Sequence, residues 1–156
     1  MSTRSIIVFT SKRKEEIELT KAGNVRISQN RIKSCLQDPH IYVHWDGYPS
    51  NRLRQIVNYM SLPQVRTYDV EYCSAWFIPY LISSYEANRP IENETDCTGY
   101  GINGNLDIGF CSYIYIVHCT GKTITIIDAW NKEILGEFDL QLDNFDEWIE
   151  EWESSE

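Results

Sequence analysis

Three strand-forming stretches, Cys111–Cys119, Thr123–Trp130 and Glu133–Leu140, follow one another with only Thr120-Gly121-Lys122 and Asn131-Lys132 between them. Breaks this short leave a hairpin as the only connection, because a parallel crossover needs a dozen residues or more. A three-stranded antiparallel meander is therefore expected, and the remaining elements have to be arranged around it.

The N-terminal half supplies two more strands. Ser5–Thr10 is rich in β-branched residues, and His40–Trp45 reads as a second strand. Asp46-Gly47 then offers a turn in which Gly47 is able to take a positive φ. Pro49 stands at or just before a helical turn, and Ser50 is the expected N-cap of a helix over Asn51–Met60. Leu53, Ile56, Val57 and Met60 form its apolar stripe. Asp69 is expected to cap a longer helix reaching about Tyr85, with Val70, Cys73, Phe77, Tyr80, Leu81 and Ser84 at helical spacing and Pro79 kinking it. Residues 142–153 read as an acidic amphipathic helix with Phe145, Trp148, Ile149 and Trp152 on one face. Residues 11–39 are a polar, basic insertion with a Gly23-Asn24 turn signal between two weaker elements. Within it, Ile32, Cys35 and Leu36 suggest a short helix over Ser28–Gln37. Residues 86–109, with four glycines, read as a long loop. The order β-β-α-α-β-β-β-α predicts an α+β fold: one domain over residues 1–156, with a mostly antiparallel sheet of about five strands and helices packed on one face.

Length and composition narrow the function classes. The longest apolar stretches, such as Ala75–Ile82, fall far short of the ~20 residues a bilayer span requires. The N-terminus has no long apolar core or small-residue cleavage site, so a cytoplasmic location is expected. The five cysteines, Cys35, Cys73, Cys97, Cys111 and Cys119, include no Cys-x-x-Cys pair and are expected to be reduced and partly buried. No metal and no cofactor is expected. The glycine-rich run Gly99–Gly104 lacks the lysine and the strand–loop–helix setting of a phosphate loop. The basic residues of 12–33 are diluted by Glu15, Glu16 and Glu18 and lack interleaved aromatics, which argues against direct nucleic-acid binding.

Two features carry candidate chemistry. The hexapeptide His44-Trp45-Asp46-Gly47-Tyr48-Pro49 sits at a strand-to-helix junction. There His44, Asp46 and Tyr48 are candidates for base, orienter and donor. The N-terminus of the following helix, with Arg52 and Arg54 in its first turns, is a candidate anion site for a phosphate or carboxylate. The competing reading makes Asp46-Gly47 a plain turn with Trp45 and Tyr48 in the core. His118 joins the candidates if the second and third strands are neighbours, which would also bring His44, Asp46 and His118 together around a metal. The second feature is charge. Residues 1–66 hold eleven Lys/Arg against five Asp/Glu, and residues 67–156 hold three against eighteen, within a net charge of −9. Halves of opposite sign can pair within one body or between two copies. The C-terminal carboxylates Asp143, Asp146, Glu147, Glu150, Glu151 and Glu153 form either a solvated face or a surface that docks on a partner.

The opening Met-Ser-Thr-Arg-Ser-Ile-Ile-Val, together with Tyr-Val-His-Trp-Asp-Gly-Tyr-Pro-Ser, resembles a group of small proteins encoded mainly by phages and mobile elements. Those proteins open with a Thr-Arg-Ser strand and place a His-Trp-Asp-Gly-Tyr-Pro turn before a helix. The matching positions are Thr3, Arg4, Ser5 and His44 through Pro49, and the departure is the basic stretch 11–39, where a short hairpin is expected. The resemblance implies an accessory protein working in a bacterial host cytoplasm. The expected function is therefore binding and inhibiting a host protein or complex, such as a nucleic-acid-handling defence complex. The alternative is a small enzyme or nucleotide/anion-binding domain centred on His44–Pro49.

Overall fold

A computed structural model describes residues 3–11, 18–19, 25–26, 32, 40–44, 47–85, 100–103, 111–140 and 145–155. The meander forms as its turns dictate: β6 (Tyr113–His118), β7 (Thr123–Asp128) and β8 (Glu133–Asp139) pair antiparallel in sequence. Both reversals take a positive φ at lysine, Lys122 at 51° and Lys132 at 56°. Asp128 organises the second: its carboxylate accepts from the Trp130 and Asn131 amides at 2.9 and 3.2 Å.

Strand β1 (Ser5–Thr10) lies beside β6 in parallel, from Ser5 opposite Tyr113 to Thr10 opposite His118. On its other side is antiparallel β4 (His40–Val43), which in turn pairs with β5 (Tyr100–Asn103). Two short strands from the basic insertion, β2 (Glu18–Leu19) and β3 (Val25–Arg26), extend the far edge, with Arg26 opposite Glu133 of β8. The sheet order is β2-β3-β8-β7-β6-β1-β4-β5. The α+β class, the mostly antiparallel sheet and the element order stand as expected. The sheet is wider than five strands because the insertion contributes a hairpin and the supposed loop 86–109 contributes β5.

All six residues of β1 are buried, so both faces of the sheet are covered. Ile7, Phe9, Tyr115, Val117, Ile124 and Ile126 point to one face and meet α1 (Pro49–Met60), α2 (Val70–Tyr85) and α3 (Phe145–Ser155). Ile6, Val8, Ile114, Ile116 and Ile127 point to the other and pack with Ile32, the one described residue of the expected helix over Ser28–Gln37. A fully buried aliphatic side chain contributes about 1.5–3 kcal/mol, so these two layers hold the fold far more than helix propensity does. Helix α1 illustrates the point. It starts at Pro49, one turn position ahead of Ser50, and its N-cap is Tyr48 with no side-chain cap bond. Burial of Leu53, Ile56 and Tyr59 holds it instead. Helix α2 does receive its expected cap, Asp69 accepting from the Tyr72 amide at 3.2 Å.

Gly47 has a different role from the one its turn position suggests. Its φ lies outside the left-handed region, and a Cβ there would stand 2.8 Å from Ser5 Cβ, Ser5 Oγ and the Thr3 carbonyl oxygen. The glycine lets the chain press against β1, and its N–H donates to the Thr3 carbonyl at 2.9 Å. Because one obstacle is backbone, trimming Ser5 cannot relieve it. Gly47→Ala should therefore destabilise by about 1–3 kcal/mol in chemical denaturation, and Ser5→Gly in the same chain should not restore it. An unchanged midpoint for Gly47→Ala would show that the contact is loose.

Candidate functional site

The described residues of the hexapeptide form a clasp. Gly47 is held from both sides: its N–H reaches Thr3, and its carbonyl accepts from the buried Tyr115 hydroxyl at 2.5 Å. Tyr48 turns outward onto Tyr113 and Trp152, with ring centroids 6.3 and 6.2 Å away, and so ties the turn to α3. His44 Nδ1 is hydrogen-bonded to the Tyr42 hydroxyl, 2.8 Å away. Residues 40, 42 and 44 share the face opposite the helices, whereas Tyr48 packs on the helix side. His44 and Tyr48 therefore diverge. Trp45 and Asp46 lie outside the described residues.

His118 is at the other end of the sheet. The second and third strands of the expected series, β4 and β6, are not neighbours, because β1 lies between them. His44 is level with the start of β6 and His118 with its end, six residues or about 20 Å along the strand. The two imidazoles cannot share a metal. His118 instead belongs to a cross-strand chain: its Nε2 lies 3.3 Å from Thr125 Oγ1, and the Thr125 hydroxyl donates to Glu137 Oε1 at 3.0 Å. With that hydroxyl hydrogen committed to Glu137, the Thr125 oxygen accepts, which places the proton of His118 on Nε2. Asp128 pairs in register with Tyr113, not with His118. Among the described residues, no group of three His, Cys, Asp or Glu side chains is placed to hold a metal ion.

The two candidate anion-binding arginines part company. Arg52 is only 1% exposed; its Nη1 donates to Gln55 Oε1 at 2.8 Å, and its charge works on the buried Tyr115 phenol. An anion meeting Arg52 would have to be buried with it. Arg54 is exposed and pairs with Asp146 of α3 at 3.2 Å. That pair joins the basic half to the acidic half inside one chain. Glu147, Glu150, Glu151 and Glu153 remain an exposed acidic face on α3, and Asp143 lies outside the described residues.

Residues not singled out from the sequence form the most distinctive surface. Tyr68, Tyr72 and Trp76 are 82%, 46% and 60% exposed, and Ile102 of β5 is 73% exposed. They flank α2 on both sides. On one side is a cleft of about 590 Å³ lined by Leu62, Val65, Tyr72, Trp76 and Pro79, where the Arg66 guanidinium sits 4.5 Å from the Tyr72 ring centroid. On the other is a groove of about 650 Å³ between α2 and the β4–β5 edge. The signal was present in the sequence. Buried Cys73, Phe77 and Leu81 form one apolar stripe, and Tyr72, Trp76 and Pro79 at i, i+4 and i+7 form a second one on the outer side. A surface helix ordinarily shows a polar stripe there.

Comparison with known protein families, curated proteins and solved structures finds no match to this chain. None of the described helices is long and apolar enough to cross a membrane.

Beneath α2, Tyr59, Cys73 and Cys119 meet. The Tyr59 hydroxyl donates to the Cys73 carbonyl at 2.8 Å, and a hydrogen bond with Cys119 holds the Cys73 thiol below its ordinary pKa against the opposing effect of burial. Cys111 is the third buried free thiol, and Cys35 and Cys97 lie outside the described residues. Burial pushes the Tyr59 and Tyr115 phenols well above their ordinary value, with the nearby thiols adding to the effect at Tyr59 and Tyr113 at Tyr115. The unfolded chain releases these protons near pH 10, while the folded chain retains them. Above that pH the folded state holds more protons, so stability falls as pH rises, by about 1.4 kcal/mol per pH unit for each phenol. Denaturant midpoints measured from pH 9 to 11.5 should drop accordingly, and Tyr115→Phe should flatten the drop. At neutral pH the same variant should lose about 1–3 kcal/mol, because the Gly47 carbonyl loses its donor. An alkaline slope identical in Tyr115→Phe would show that this phenol is not held protonated.

Proposed function

We propose that this protein is an accessory binding protein of the kind that phages and mobile elements encode, acting in a host cytoplasm by docking on a host protein complex and blocking it. The observation that carries the reading is the outer surface of α2. Four of the six exposed large apolar side chains, Tyr68, Tyr72, Trp76 and Ile102, gather there, leaving only Tyr48 and Trp130 elsewhere among the described residues. Scattered exposed apolar residues are ordinary, but four large ones flanking a single helix support an interface there. Trp and Tyr are also the residues that most often dominate binding energy, at about 2 kcal/mol or more each when centrally buried. A monomer gains nothing by holding Trp76 in water.

The acidic face of α3 has a second role in this reading. Its carboxylates are solvated, so they add little to affinity directly, but they raise the association rate with a basic partner and make that rate salt-dependent. A nucleic-acid-handling defence complex fits that description, because its phosphate-binding surfaces are basic. Gly47 and Tyr48, in contrast, serve the architecture by tying Thr3, β6 and α3 together.

Affinity capture from host lysate with identification of the bound protein, followed by titration with the purified partner, tests the proposal. Trp76→Glu combined with Tyr72→Lys should weaken binding by about a hundredfold or more while leaving thermal stability unchanged, since both side chains are exposed. Charge reversal at Glu147, Glu150 and Glu151 should mainly slow association and flatten its salt dependence. Equal affinity for the Trp76→Glu, Tyr72→Lys variant would rule out α2 as the docking surface.

A further inference from the structure

The groove on the β5 side of α2 has a more specific shape than an apolar patch. Helix α2 packs over β1 and β4. Strand β5 is one position farther out, at the end of the sheet among the described residues. Ile102 pairs in register with Ile41, so its side chain points to the same face as α2, yet it is left 73% exposed. The result is a trough with a strand along its floor and a helix as its wall, lined by Ile41 and Ile102 below and by Tyr68, Val70, Ser74 and Ala75 beside. An end strand offers unpaired backbone N–H and C=O groups to any extended segment that approaches it.

The charge of the trough selects the segment. Besides the buried His40, its ionic side chains are Asp69 and Glu71 at the start of α2, both acidic, and no Lys or Arg lines it. On this basis, and resting on the reading of the α2 surface as the docking face, we propose that the groove between α2 and β5 takes an extended basic segment of the partner. The segment adds to the sheet as a further strand beside β5. Backbone hydrogen bonds to β5 hold it, alternate side chains that face α2 fill the space over Ile102 and Ala75, and a Lys or Arg at its end meets Asp69 and Glu71. Peptide addition at a sheet edge takes its affinity from the ladder and its selectivity from every second side chain.

The probe is a fluorescein-labelled heptapeptide, Lys-Thr-Val-Thr-Val-Thr-Lys, whose odd positions share one face. Three controls accompany it: the same peptide with Glu for Lys, the same peptide N-methylated at alternate backbone positions, and sedimentation of the protein alone. The Lys peptide should bind about tenfold or more tighter than either modified peptide, and Ile102→Lys and Glu71→Lys should each weaken it by a similar factor. Both substitutions are at exposed side chains, so circular dichroism should be unchanged. Amide shifts on titration should centre on Tyr100–Asn103. No binding at millimolar peptide, equal binding of the N-methylated or Glu peptide, or indifference to Ile102→Lys would overturn the proposal. So would a dimer that Ile102→Lys dissolves, since a second copy would then be the occupant. If Ile102→Lys leaves capture of the whole partner intact while Trp76→Glu abolishes it, the strand-addition mode fails and the wider docking reading stands. If Trp76→Glu leaves capture intact while the peptide still binds beside β5, the wider reading fails alone.

Discussion

The parallel pairing of β1 with β6 is the interaction on which the other elements depend. It joins the N-terminal half of the chain to the C-terminal meander through six residue pairs, Ser5–Tyr113 to Thr10–His118. Because β1 is buried on every side chain and flanked by a strand on each side, its polar backbone has no recourse to water and must be satisfied within the sheet. Ile7 and Phe9 then give α1 and α2 a surface to pack on, and Ile6 and Val8 do the same for Ile32 on the reverse side. At one end of the pairing, Gly47 locks the arrangement by bonding to Thr3 ahead of β1 and to Tyr115 within β6.

That clasp joins two segments that are far apart in sequence, Thr3–Ser5 and the stretch beginning at His44. In the fold they touch: the Gly47 amide reaches the Thr3 carbonyl, and no side chain larger than hydrogen fits between Gly47 and Ser5. Two motifs that must meet at van der Waals distance constrain each other for reasons of packing alone. The aromatic surface of α2 has no such close approach, with Trp76 and Tyr72 60% and 46% exposed.

Much of the fold was legible from local chemistry, and the losses have identifiable causes. The meander, the Asp69 cap, the Leu53/Ile56 stripe and the Phe145–Trp152 seam follow from alternation, capping and helical spacing, which are properties of short windows. The position of β1 between β4 and β6 is not such a property, since parallel partners carry no turn between them to declare the pairing. The proposed meeting of His44 with His118 failed on that single point. Arg52 misled for a related reason: a guanidinium in a first helical turn reads as exposed, and only the packing of the folded chain encloses it. Strand β5 was missed because Tyr100–Asn103 contains a glycine and lies within a polar, glycine-containing stretch, where strand propensity is weak. The outer stripe of α2 was readable, since Tyr72 and Trp76 stand off the stripe of Val70, Cys73, Phe77 and Leu81.

The parallel pair also has a consequence for biosynthesis. Strand β1 leaves the ribosome more than a hundred residues ahead of its partner β6. At about 5–20 residues per second, an apolar strand waits several seconds with its central neighbour not yet synthesised. Antiparallel β4 emerges first and can shield only one edge. The nascent chain therefore passes through a period in which Ile6, Ile7, Val8 and Phe9 are available to wrong partners, and chaperones that recognise short apolar strands have most to do in that interval.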